Sequence, residues 1–241
     1  MIELRREIGL ATGSNPLFEG SHAPDLVLAL FSSIFAAPQP DWPKQVRITG
    51  FSFYDGPEQT LPGALEAFLK AGSPPVVFTL GSSAVGAAGS FYSESLQAVK
   101  RLRIRAIFLT GPHPQGLEET VSPDVLIWPV APHAQLFARA SAIVHQGGVG
   151  TTAQTMRSGC PMIVVPFAHD QFDNAERVRR LGVAQVVPRS RYSARTAEAM
   201  LKSLLENHAY KESALDLSKI VQAERGSTLA AQAIDEYARR S

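Results

Sequence analysis

Cysteine is nearly absent from the chain: Cys160 stands alone. A disulfide within the chain is thereby excluded, and such usage points to a reducing compartment. Surplus charge is lacking too. The formal net charge is +1 at pH 7 and the pI is near 7.9, so neither nucleic acid nor an acidic membrane surface is an expected partner. No apolar run approaches the ~18 residues that a membrane span requires, and Met1-Ile2-Glu3-Leu4-Arg5-Arg6-Glu7 lacks the apolar centre of a signal peptide. A soluble cytoplasmic protein is the expectation.

What is present is a long stretch of alternating strands and helices. With 241 residues, of which 45% are hydrophobic and 19% charged, the chain can bury one large core, with or without an appendage. Residues 1–60 differ from the rest. Leu26 to Leu30 and Val46 to Thr49 are strand-like, separated by Pro38, Pro40 and Pro43, and two strands bury too little to stand alone. They read as the remnant of a larger amino-terminal domain with its linker.

Residues 61–241 have a regular rhythm. A helix is expected from Pro62 to Lys70 and another through Tyr92, Leu96, Val99 and Leu102. Apolar strands are expected at Val76–Leu80, Ala106–Leu109, Val125–Trp128, from Ala142, at Met162–Val165 and at Ala184–Val187. Short, fully apolar strands alternating with helices predict a doubly wound α/β domain with a six-stranded parallel sheet, followed by three carboxy-terminal helices. Ligands of such sheets bind at the carboxyl ends of the strands.

One of those ends is distinctive. Ala142-Ile143-Val144-His145-Gln146-Gly147-Gly148-Val149-Gly150-Thr151-Thr152 reads as a buried strand, a glycine turn and a helix start. The N–H groups that open a helix have no partner within it and carry the positive end of its dipole, which suits a phosphate or diphosphate. His145 could donate to an anionic oxygen, and Thr151 and Thr152 add hydroxyls. The plainer reading is a tight strand-to-helix connection. The turn is neither the dinucleotide G-x-G-x-x-G nor a P-loop, because no Lys follows its last glycine. A second cluster, Pro166 to Ala175, places Asp170 and Gln171 at the next strand end. A carboxylate beside an amide suits vicinal sugar hydroxyls; the alternative is that Asp170 caps the following helix. Ser82, Ser83 and Val130 also sit at strand ends.

Pro132-His133, Leu136-Phe137, His145-Gln-Gly-Gly-Val-Gly-Thr-Thr, Gly159-Cys-Pro and Pro166-x-x-x-Asp170-Gln171-x-x-Asn174-Ala175 together resemble the donor signature of UDP-dependent glycosyltransferases with the GT-B fold, most of all the bacterial macrolide and sterol types. The resemblance covers roughly residues 57–241. It implies the Rossmann-like carboxy-terminal half of that fold and an inverting transfer of a hexose from a nucleotide sugar to a small hydrophobic acceptor. No cofactor and no metal are implied. The diphosphate would lie on His145, Gly147, Gly148, Val149, Gly150 and Thr151, with Ser82 or Ser83. The base would lie at Val130 and His133, and the sugar at Asp170 and Gln171.

Val130 stands where plant members carry a stacking aromatic, and Ala153 where they carry a ribose-binding glutamate, so UDP is favoured over dTDP by family frequency alone. No catalytic residue is expected here, since the family's base lies near the start of the complete protein and His22 does not match it. The chain would then be a truncated piece, or one subunit of a split enzyme, inactive without its amino-terminal domain or a separate acceptor-binding subunit, and prone to dimerise. A nucleotide-binding module without activity is the main competing reading. A sugar-nucleotide epimerase and a dehydrogenase fit less well.

Overall fold

The structure is a computed structural model that describes residues 2–11, 22–54, 60–114, 116–117 and 122–239, without the side chains of Ile2 and Ser83. In chain order the elements are α1 (Ile2–Glu7), β1 (Val27–Ala29), β2 (Val46–Ile48), α2 (Gly63–Lys70), β3 (Val76–Thr79), α3 (Gly81–Ala84), α4 (Phe91–Leu102), β4 (Ala106–Leu109), β5 (Val125–Trp128), α5 (His133–Phe137), β6 (Ala142–His145), α6 (Val149–Ser158), β7 (Met162–Val164), α7 (Gln171–Arg180), β8 (Ala184–Val186), α8 (Ala194–Glu206), α9 (His208–Ala223) and α10 (Gly226–Ala238). Among the described residues no helix is long and apolar enough to cross a membrane.

Two compact units arise, Met1–Ser52 with Arg225–Ser241, and Phe53–Glu224. In the first, β1 and β2 pair in parallel. Its α10 is held there by Glu236, which accepts from Arg47 at 2.8 Å, and by Tyr237, whose hydroxyl donates to Asp25 at 3.1 Å. The sequence reading set the break at residue 60 and left the last helix in the larger part. Contacts between residues some two hundred positions apart group α10 with the early strands instead, and no local pattern announces them.

The second unit holds a six-stranded, all-parallel sheet in the order β5-β4-β3-β6-β7-β8. That is the doubly wound sheet expected from the alternation. Successive side chains of a strand face opposite sides, and both sides are covered. Phe78, Phe108, Val144 and Ile163 join α4 and α8 through Tyr92, Leu96 and Leu201. Val77, Ile107 and Ile143 join α2 and α5 through Leu65, Leu136 and Phe137. Burial on both faces explains why these strands read as continuous apolar runs. Phe78 and Phe108 stack with ring centroids 4.7 Å apart. Ser193 caps α8, accepting from Thr196 N–H at 3.3 Å, as its position before the apolar stripe suggests.

The strand order reverses between β3 and β6. The chain runs outward one way through β4 and β5, then returns and runs the other way through β7 and β8. At that switch point the two connecting segments diverge and leave a crevice above the strand ends. Thr79 and His145 are paired neighbours there.

Candidate functional site

The glycine turn follows β6 at the switch point. His145 is fully buried. Its Nδ1 accepts from the N–H of Gly147 at 3.0 Å, which leaves the ring proton on Nε2, 3.3 Å from the Met162 sulfur. Burial, helped by the nearby His133, pushes its pKa down from 6.5 to about 3, so the ring is neutral. The expectation that His145 donates to an anionic oxygen is therefore not what the geometry shows. Both ring nitrogens face protein, and the side chain shapes the turn from behind.

The three glycines do different things. Gly147 alone takes a positive φ, +90°. A Cβ there would lie 2.8 Å from Val164 Cγ1 and 3.0 Å from the Gln171 carbonyl oxygen, so protein, not ligand, forbids it. A Cβ at Gly148 would meet the Gln146 amide at 2.7 Å, and one at Gly150 would meet nothing within 4 Å. Only Gly150 leaves open room for a ligand. No side chain caps α6 at Gly148, so its first N–H groups stay unclaimed by a cap. Gln146 is 3% exposed, fills the gap beside Gly81 and Gly148, and keeps a buried Oε1 without a partner.

The loop after β7 is built by Gln171. Its Oε1 accepts from Phe167 N–H at 2.8 Å and Ala168 N–H at 3.0 Å, so this acceptor is already spent on shaping the loop. His169 takes a positive φ of 56°, an uncommon conformation for a residue with a side chain. Asp170 follows, exposed, at the N-cap position of α7. It makes no side-chain cap bond there; its Oδ2 accepts from Asn174 at 2.8 Å. The capping alternative is thus not realised.

An open cleft of about 670 Å³ lies over the switch point. Ser82, Val130, His133, Gly150 and Thr151 line it, all expected from sequence, together with Thr79 and Gly81. His145, Gly147, Gly148, Val149, Asp170 and Gln171 stand beside it and do not line it, while the side chain of Ser83 lies outside the described residues. Tyr54 and Gln154 line it without having been anticipated. An aromatic ahead of the alternating region was the available signal for Tyr54; for Gln154 it was helical spacing from Gly150. Val130 is 71% exposed. Among the described residues no Asp, Glu, Lys or Arg lines the cleft. His133 stacks on Phe137 at 4.4 Å, and burial lowers its pKa. Among the described residues no three His, Cys, Asp or Glu side chains gather to hold a metal ion.

A doubly wound parallel sheet, with an uncapped helix N-terminus at its switch point and a neutral cleft above, defines a Rossmann-like ligand-binding domain. Residues 106–236 match the family described as erythromycin biosynthesis protein CIII-like, C-terminal domain, and the chain belongs to that family. It is 34% identical over 227 residues to an O-mycaminosyltylonolide 6-deoxyallosyltransferase of Streptomyces fradiae, covering 93% of this chain and 52% of that one. It is 32% identical over 203 residues to a sterol 3-beta-glucosyltransferase of Arabidopsis thaliana, covering 83% and 32%. The glycosyltransferase VinC, solved in complex with dTDP, shares the fold with a TM-score of 0.76 at 22% identity, over 98% of this chain and 56% of that one. The resemblance read from the motif to macrolide and sterol glycosyltransferases is borne out. The chain spans about half the length of the first of these relatives and a third of the second.

Two outcomes follow from the packing of the turn. Gly147→Ala should cost about 1–3 kcal/mol in backbone strain alone, whereas Gly150→Ala should be neutral or gain up to about 1 kcal/mol as a helix position. Thermal melts compare them, and equal melting temperatures would contradict the packing described. For His145, the unfolded chain binds a proton near pH 6.5 and the folded chain only near pH 3. The unfolded state thus holds more protons between those values, so stability is complete above pH 6.5 and falls as pH drops toward 3. Urea midpoints across that window should fall less steeply in His145→Gln.

Proposed function

We propose that this chain is the donor-binding part of a glycosyltransferase and holds a nucleoside diphosphate sugar in the cleft at the switch point. The observation that carries the reading is the uncapped N-terminus of α6, with Gly150 and Thr151 lining the cleft opposite Ser82. With no cationic side chain among the described lining residues, the diphosphate charge is met by backbone N–H groups, the helix dipole and hydroxyls, without a divalent metal. His145 contributes by fixing the Gly147 N–H. The base lies toward Val130 and His133, and Asp170 faces the sugar beside Gln171, whose Oε1 holds the loop that presents it.

Family membership and the two transferase relatives support this reading. The relative from Streptomyces fradiae is named for moving a 6-deoxyhexose to a macrolide, and the Arabidopsis relative for glucosylating a sterol. A small hydrophobic alcohol is accordingly the acceptor class we propose here. During transfer, negative charge grows on the departing nucleoside diphosphate. A helix N-terminus aimed at that charge stabilises it without reorganising. Among the described lining residues there is no carboxylate, and His133 is assigned here to the nucleotide's base, so we place the group that takes the acceptor's proton in an inverting transfer outside this cleft.

Calorimetric titration of the chain with UDP and with dTDP, each with and without EDTA, tests the reading. Saturable binding that survives EDTA is expected. Gly150→Leu should keep the melting temperature and weaken binding more than about tenfold, since its side chain would project into open cleft and block phosphate contacts of the strength usual for charged groups. Failure to bind either nucleotide, or binding untouched by Gly150→Leu, would overturn the proposal.

A further inference from the structure

Asn174, on the second turn of α7, is 6% exposed. Its side-chain nitrogen carries two hydrogens, and the structure gives both a partner. One goes to the carbonyl oxygen of Gly147 at 2.9 Å, the other to Asp170 Oδ2 at 2.8 Å. A single amide thereby joins the glycine turn to the loop that presents Asp170. Gly147 is held from the other side as well, since its N–H donates to His145 Nδ1 at 3.0 Å. The approach is close because α7 is pressed onto the turn, with the Gln171 carbonyl 3.0 Å from where a Cβ of Gly147 would be.

The two bonds differ in what they are for. Gly147 is buried, and a buried carbonyl without a partner is costly, so that bond has an ordinary structural reason. Asp170 is exposed, and water would satisfy its carboxylate. It also stands at the N-cap position of α7, where a carboxylate commonly takes the helix's own N–H groups. Here it takes none, and turns to Asn174 instead. The bond gives the second hydrogen of the buried Asn174 amide its acceptor, and in doing so it fixes the carboxylate's direction relative to the turn, which a cap bond to the helix's own N–H groups would not do.

We propose that Asn174 is a positioning residue that sets the placement of the Asp170 carboxylate against the diphosphate turn, so that the site prefers a nucleotide sugar over the bare nucleotide. The inference rests on the donor-binding reading above. Two groups that grip one ligand at different points act together only when their separation matches the ligand, and a support locked by its own hydrogen bonds supplies that match. The turn meets the diphosphate and Asp170 meets the sugar; Asn174 is the strut between them.

Titration of the unmodified chain, Asn174→Ala and Asn174→Asp with UDP, UDP-glucose, dTDP and dTDP-glucose tests this, with thermal melts alongside. Affinity for the sugar nucleotides should fall about tenfold in Asn174→Ala while that for the nucleotides changes less than about threefold, the scale of one lost bond to a charged group. Asn174→Asp keeps the size of the side chain but sets a carboxylate against Asp170 and the Gly147 carbonyl. It should lose the preference at least as fully. Packing alone would instead leave Asn174→Asp like the parent, or weaken both kinds of ligand equally; either result overturns the proposal.

Asp170→Ala leaves the Gly147 bond in place and reads the sugar arm even where the Asn174 variants melt early. It should abolish the preference, and Asn174→Ala added to it should change the ratio no further, because the two residues act as one unit. A preference that persists in Asp170→Ala, or falls further in the double variant, overturns the proposal while the donor-binding reading stands. An unmodified chain that binds none of the four ligands overturns both.

Discussion

The structure depends on how Gly147 is gripped. Its N–H is bound by His145 from the strand below, its carbonyl by Asn174 from the helix beside it, and its missing Cβ lets Val164 and the first turn of α7 close in. Each grip comes from a different element, β6, α7 and β7. The turn is thus a junction where three parts of the chain agree on one backbone conformation at φ +90°. Preorganisation of this kind gives a set of N–H groups that need not rearrange when charge arrives.

The sheet supplies the rigidity that such a junction needs. Both of its faces are closed by side chains at alternate positions, the Phe78–Phe108 stack ties β3 to β4 on one face, and β3 pairs directly with β6 at the switch point. Packed cores of this density do not deform continuously. The ends of β3 and β6 are therefore fixed relative to each other, and so are the segments that leave them. The site is carried by those segments, and its precision is borrowed from the layers beneath.

Much of this was legible beforehand. Strands buried on both faces announce themselves as apolar runs, and all six of the large sheet were placed within a residue of where they lie. The glycine turn and the Asp170 loop were found because their residue types are unusual at strand ends. What escaped was direction. A histidine ending a strand reads as exposed and ready to donate, yet His145 is buried and accepts from its own turn. Three glycines in four positions read as one device, yet one admits α7, one admits Gln146 and one faces open space. The grouping of α10 with β1 and β2 rests on contacts across nearly the whole chain, and α1 gave no amphipathic pattern to read. Pattern reveals which residues matter; which way they turn is decided by neighbours distant in sequence.

Among the described residues no Lys or Arg lines the cleft, and that has a kinetic side. Clefts lined with one sign of charge draw their ligands in from a distance and quicken association, an effect that salt weakens. Backbone N–H groups at a helix terminus act over about one turn and reach no further. On a chain whose net charge is only +1, an anionic ligand gains little from long-range attraction. Under the donor-binding reading it would meet the site by unassisted diffusion and be sorted at contact. Occupancy then follows the amount of ligand and how long each molecule stays, with the ionic strength of the surroundings having little say in the encounter.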